Sequence, residues 1–148
     1  MTPNAKPSEH LSVLATVDPV AQAPGAVSTG YVSIKNHLAV LALIDVGVFG
    51  AVATVDAKLQ QAQDNVGTGV KDITGKAITQ LIAAGGNNRQ ALINAKVADL
   101  DTEGGFSFVR LTVTVGTAAT QISAALVGAY PRYEDGALFN QAGVAQVV

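Results

Sequence analysis

The chain has 148 residues, a formal net charge of −2 and no cysteine, and it is 49% hydrophobic but only 14% charged. A single domain of that length buries roughly 70% of its unfolded surface, enough for a core without disulfides, and the missing thiols exclude disulfides and thiolate metal sites. The nine basic residues are scattered singly from Lys6 to Arg132, with no stripe to neutralise phosphates, and the longest apolar run, Leu38–Ile44, is seven residues, too short for a membrane-spanning helix.

Residues 1–27 carry four of the five prolines (Pro3, Pro7, Pro19 and Pro24). Proline fixes φ and pushes its predecessor toward extended backbone, so this stretch is expected to be an extended N-terminal arm. Within it Leu11, Val13, Leu14 and Val17 are too apolar for a solvated tail. Either they fold back on the chain's own core or they lie on another subunit.

From residue 28 to residue 133 the texture is that of strands. Val27–Ile34 is a first strand, broken by Lys35-Asn36-His37. Leu38–Val46 is a second, apolar on both faces and so expected to be central and covered on both sides. After a turn at Gly47–Gly50, Ala51–Gln63 directs Ala53, Val55, Ala57 and Leu59 inward. Asp64–Gly69 is a loop of turn formers. Val70–Thr74 and Ala77–Ile82 are short apolar runs; the second also fits one helical turn, and it is taken as strand. Gly85-Gly86-Asn87-Asn88 is a turn signal, and Arg89–Val97 alternates again. Phe106–Val115 alternates almost without error, placing Ser107, Val109, Leu111, Val113 and Val115 on one face. Gly116–Ala119 can reverse the chain, and Gln121–Tyr130 runs on until Pro131, which has no N–H for a ladder. The two runs are expected to form a long antiparallel hairpin at the centre of the domain. Residues 134–148 lose the period and read as a C-terminal tail.

About eight antiparallel strands with almost no helix predict an all-β fold, an antiparallel β-sandwich of jelly-roll type with terminal arms, and an open barrel as the alternative. So low a charged fraction, against the roughly 25% of an average domain, leaves two readings open: a core of small residues, or apolar surface covered by a partner in an oligomer.

The motifs point away from chemistry. Gly69 to Lys76 resembles a phosphate-binding loop, but five residues separate its glycines and Ala77 stands where a hydroxyl should hold magnesium. Asp99, Asp101 and Glu103 alternate as in a calcium loop, but the closing bidentate position is Arg110, inside a strand. His10 and His37 have no neighbour at ligand or relay spacing, and no serine nucleophile elbow occurs. No catalytic, cofactor-binding or metal site is expected. The densest aromatic and cationic cluster is Tyr130, Arg132 and Tyr133, which either seals the edge of the core or anchors a contact, as Tyr and Arg do at binding hot spots. No basic and apolar leader opens the chain, so a secreted route is not expected.

The phrases VSTGYVSIKNH, AVATVDAKLQQAQDNVGTGVKDITGKAITQL, GGFSFVRLTVTVGTAA and GAYPRY, in that order across residues 27–133, resemble a family of small proteins of tailed bacteriophages and prophages. The resemblance is to the cement, or head-decoration, proteins that sit on an HK97-type shell. It implies a jelly-roll body, the major capsid protein as partner, a homodimer or other homo-oligomer, and a place on the virion capsid surface. Both arms fall outside the matching stretch. Other expectations of the same composition are a neck or tail component, or a carbohydrate-binding sandwich; an enzyme is the least expected class. If the arm reaches onto capsid subunits, deleting residues 1–24 weakens attachment and leaves the domain folded.

Overall fold

Alternating aliphatic residues build two stacked antiparallel sheets in the computed structural model, which describes residues 4–148; residues 1–3, with Pro3 of the expected arm, lie outside it. One helical turn, α1 (Pro7–His10), precedes the strands β1 (Leu11–Gln22), β2 (Gly25–Ser28), β3 (Val32–Ser33), β4 (His37–Val46) and β5 (Thr54–Ala62). These are followed by β6 (Lys71–Ala77), β7 (Leu81–Ile82), β8 (Arg89–Lys96), β9 (Phe108–Gly116) and β10 (Thr120–Pro131). Short 3₁₀ turns lie before β8 at Ala83–Gly85, before β9 at Val97–Asp99 and after β10 at Gly136–Phe139.

The four-stranded sheet has the order β1-β10-β4-β8, and the other sheet the order β2-β9-β5-β6. The short β3 pairs with β9 beyond β2, and β7 pairs with β5 beyond β6, so each continues its neighbour. Eight strands remain, and the first pairs with the last, the second with the seventh, the third with the sixth and the fourth with the fifth. A long hairpin rolled up on itself gives that nesting, which is the jelly roll.

The core lies between the sheets. Val55, Leu59, Val109, Leu111 and Val113 from one sheet meet Ala42, Ile44, Val46 and Leu126 from the other, all buried. Each fully buried Val, Leu or Ile contributes roughly 1.5–3 kcal/mol relative to exposure. The inward faces expected for β5 and β9 are the observed ones.

Three expectations are corrected. First, β9 and β10 do not form a hairpin: β9 pairs with β2 and β5, β10 with β1 and β4. Gly116–Ala119 carries the chain from one sheet to the other. Alternation identifies a strand and its inner face, but not its partner. Second, residues 11–22 are no free arm, since β1 pairs with β10 from Leu11↔Ala129 to Gln22↔Thr120. Ala15 and Val17 enter the core, so the domain boundary expected at residue 27 falls inside the sandwich. Pro19 is tolerated because β1 is an edge strand with irregular register between Val17 and Val20. Third, β4 is central but covered on one side only: Val40, Ala42, Ile44 and Val46 are buried, while Leu43 on the opposite face is exposed.

Smaller differences follow from turns. Residues 51–53 belong to the turn before β5, with Val52 at φ 53°. The run Ala77–Ile82 keeps strand pairing only at its ends.

Candidate binding surfaces

Among the described residues no group of three or more His, Asp or Glu side chains could hold a metal ion. The two stretches that imitate ligand loops meet each other. Lys71 Nζ lies 2.6 Å from the Asp101 carboxylate and Lys76 Nζ 3.1 Å from that of Asp99. β6 is a strand, without the strand-loop-helix setting a phosphate loop needs. Lys71 depresses the Asp101 carboxyl below its usual range by hydrogen bonding, and the Lys96 backbone N–H does so for Asp99.

The outer faces of the two sheets differ in character. On the β5–β9 side Gln60 Oε1 accepts from Arg110 Nε at 2.9 Å and from Thr112 Oγ1 at 3.1 Å. The Gln60 amide donates to Asp72 at 2.7 Å, Lys58 reaches the same carboxylate at 2.9 Å, and Arg110 stacks over Tyr31. That face is a connected polar ladder. Lys58, foremost, holds the Asp72 carboxyl below its ordinary value.

The outer face of the four-stranded sheet is mainly apolar, with Thr16 on β1 and Asn94 on β8 as its polar members near the middle, and the register lays it out in rows. Leu92, Leu43 and Ala125 lie across β8, β4 and β10; Leu41, Val127 and Val13 follow across β4, β10 and β1; then Ala39, Ala129 and Leu11. Leu92 is 57% exposed, directly opposite Leu43. Asp45, bonded to Gln90 at 2.8 Å, stands toward one end of this face and Lys96 toward the other. At the Lys96 end a groove of about 710 Å³ is lined by Pro7, Leu11, Leu41, Ala129 and Tyr130, among others.

This layout relocates the expected contact residues. Leu11 and Tyr130 come together in the groove. Val13 sits on the same face, and Leu14 packs partly against the core. Val17 is 5% exposed and faces the interior, so it is unavailable to a partner. The Tyr130–Tyr133 corner does not seal the core, because Tyr130 turns outward at φ 55° and Tyr133 is 81% exposed. Arg132 donates from Nε to the His37 carbonyl at 3.2 Å. Sequence reading missed Leu41, Leu43 and Leu92 as surface. The signal lies in the apolar residues on both faces of β4, a pattern that fits burial on both sides equally well.

The two ends differ too. The loops at residues 23–24, 47–53, 83–88 and 117–119 share one end and contain no charged residue, although Arg89 lies over Gly85 at the rim. Val48 and Val52 are exposed there. The opposite end carries Lys35, Asp64, Asp99, Asp101, Glu103, Arg132, Glu134 and Asp135.

No family model and no curated protein matches the chain. Among solved structures it is similar to a chain of broad bean stain virus, with 10% identity, a TM-score of 0.47, and 87% of this chain and 90% of that one covered. It is also similar to a chain of cowpea mosaic virus particles, with 10% identity, a TM-score of 0.43, and 85% and 88% covered. A xylan-binding domain from Paenibacillus barcinonensis gives 10% identity, a TM-score of 0.40, and 83% and 92% covered.

Proposed function

We propose that this protein is a structural component of a phage virion, a cement protein that binds the outside of an HK97-type shell and stabilises it. The observation that carries the reading is the uncovered apolar face of the four-stranded sheet, where Leu41, Leu43 and Leu92 stand in rows with alanines and valines. Exposed apolar patches on a small domain mark places where another protein docks. The sequence resemblance to head-decoration proteins supplies the partner, the major capsid protein.

Cementing works by mass action. A subunit that binds the assembled shell and not its dissociated parts stabilises the shell by its binding free energy. Repetition over many symmetric positions turns modest contacts into resistance to internal pressure. A rigid sandwich suits this task, since little conformational entropy is lost when it docks.

The test is binding of the purified protein to empty expanded capsids. Wild type is expected to co-sediment with them and to raise their melting temperature. Leu92→Glu places a charge on the edge strand β8, directly opposite Leu43 and without touching the core, and is expected to lower capsid affinity by at least tenfold while its own melting curve stays unchanged. Full capsid binding by a folded Leu92→Glu protein would rule this face out. Sizing of the same variant reads whether the face also pairs copies of the chain.

A further inference from the structure

At the charged end of the sandwich β1, β4 and β10 meet around a buried histidine. His37 is 1% exposed, and its Nε2 lies 3.0 Å from the Ser12 hydroxyl, which is itself buried. Ser12 donates its only proton to the Gly136 carbonyl at 2.5 Å. The His37–Ser12 bond therefore needs its proton from the histidine, which fixes the neutral ring with hydrogen on Nε2. Nδ1 is then a bare lone pair, buried and without a partner among the described residues. Phe139 closes the pocket, its ring edge-on to the imidazole at 5.3 Å and 74°.

Ser12, His37 and Phe139 thus tie the C-terminal segment down. Beyond the turn at Gly136–Phe139 the segment continues along the free edge of β1. There Val13 N–H donates to the Asn140 side chain at 2.7 Å, and the Val13 carbonyl accepts from Gln141 N–H at 2.7 Å. Gly136 fits only because it has no side chain: a Cβ would come within 3.1 Å of backbone atoms of Leu11 and Glu9.

We infer that residues 136–141 form a strap that is latched by neutral His37 and released in mild acid. A proton added to His37 goes to Nδ1, where no acceptor waits. The charged groups around the pocket give it no counter-ion. Arg132 sits on the His37 carbonyl and opposes a second positive charge. On the segment leading into the strap, the Asp135 carboxylate is taken by Ala137 N–H, and Glu9 on α1 by Lys6 N–H. Among the described residues His10 on α1 also has a buried ring nitrogen without a partner, Glu134 forms no ion pair with the His37 ring, and Lys35 carries the same sign as a protonated ring.

Burial lowers the histidine's proton affinity from its ordinary value of 6.5. The latch is therefore at full strength above pH 6.5, and it weakens as pH falls below that value, because the released state takes up the proton and the latched state does not. For a single proton the latch constant drops up to about tenfold per pH unit. Opening leaves the Val13 N–H and carbonyl on an exposed sheet edge.

The experiment is amide hydrogen exchange on the full chain, read as protection factors at Val13 and Gln141 from about pH 7.5 to about pH 5. Protection is expected to be constant above pH 6.5 and to fall by up to about tenfold per pH unit below it, in wild type but not in His37→Gln, which keeps a donor and cannot be charged. Protection that stays flat in wild type, or falls equally in His37→Gln, overturns the latch. A proton NMR titration of wild type gives a check that does not depend on the variant folding. His37 is expected to titrate below 6.5 in step with loss of the two amides, and titration at the ordinary value with both amides still protected overturns it as well.

Discussion

Single residues show where this fold holds strain and where it is at ease. Thr29 is buried between β2 and β3, its N–H donating to the Leu111 carbonyl and its hydroxyl accepting from Leu111 N–H at 3.0 Å, so both backbone groups of Leu111 stay paired where the ladder breaks between the two short strands. Val52 is less comfortable. It is β-branched, holds φ at 53° and is 76% exposed, so nothing it packs against offsets the left-handed backbone. Such a conformation costs on the order of 1–2 kcal/mol for a side chain with a Cβ, and glycine gives back part of the gain through its freer unfolded chain. Val52→Gly is expected to stabilise the domain by up to about 1 kcal/mol, seen as a higher denaturation midpoint. A lower midpoint would show that Val52 has packing of its own. The alternation in the sequence was enough to place Val109, Leu111 and Val113 inside. It gave no warning of Val52, because φ is set by the closing geometry of the turn at residues 50–53.

At the scale of elements, β1 changes most between sequence and structure. Prolines and small residues suggested an arm, yet the segment spans the edge of the four-stranded sheet and contributes Ala15 and Val17 to the core. The deletion of residues 1–24, expected from sequence to leave a folded domain, removes that strand, uncovers the edge of β10 and strips Ser12 from His37. It is now expected to abolish cooperative folding, read by loss of the thermal transition in circular dichroism. A truncation that melts as wild type would mean β1 is dispensable. The β9–β10 pair teaches a related point. Both strands were legible, and their adjacency in sequence suggested pairing. Gly116–Ala119 crosses instead to the opposite sheet, a choice fixed by how eight strands nest rather than by the four residues of the connection.

At the scale of the whole molecule, the charge sits mostly at one end and along one face, while the other end has uncharged loops and the other face is mainly apolar, with Asp45 and Lys96 toward its two ends. Acid should act in two steps. The first is the strap, below pH 6.5. The second comes from Asp64, Asp72, Asp99 and Asp101, which lie below their ordinary 3.8 because Thr68, Lys58, the Lys96 N–H and Lys71 respectively hydrogen-bond their charged forms. A depressed carboxyl stabilises the fold above its unfolded value and loses that contribution as pH falls through the folded one. The denaturation midpoint is therefore expected to decline in two stages, one setting in as pH falls below 6.5 and the other below about pH 4, with His37→Gln removing only the first. A single stage shared by both proteins would contradict this. The sequence by itself determined the class of the fold, the position of nearly every strand and the inward face of β5 and β9, because a period of two is written residue by residue. Only the tertiary structure decided which strands pair, which side of β4 is left bare and what His37 touches. Each of those depends on residues such as Leu43 and Leu92, or Ser12, His37 and Gly136, that lie far apart in the chain and meet only when the roll closes.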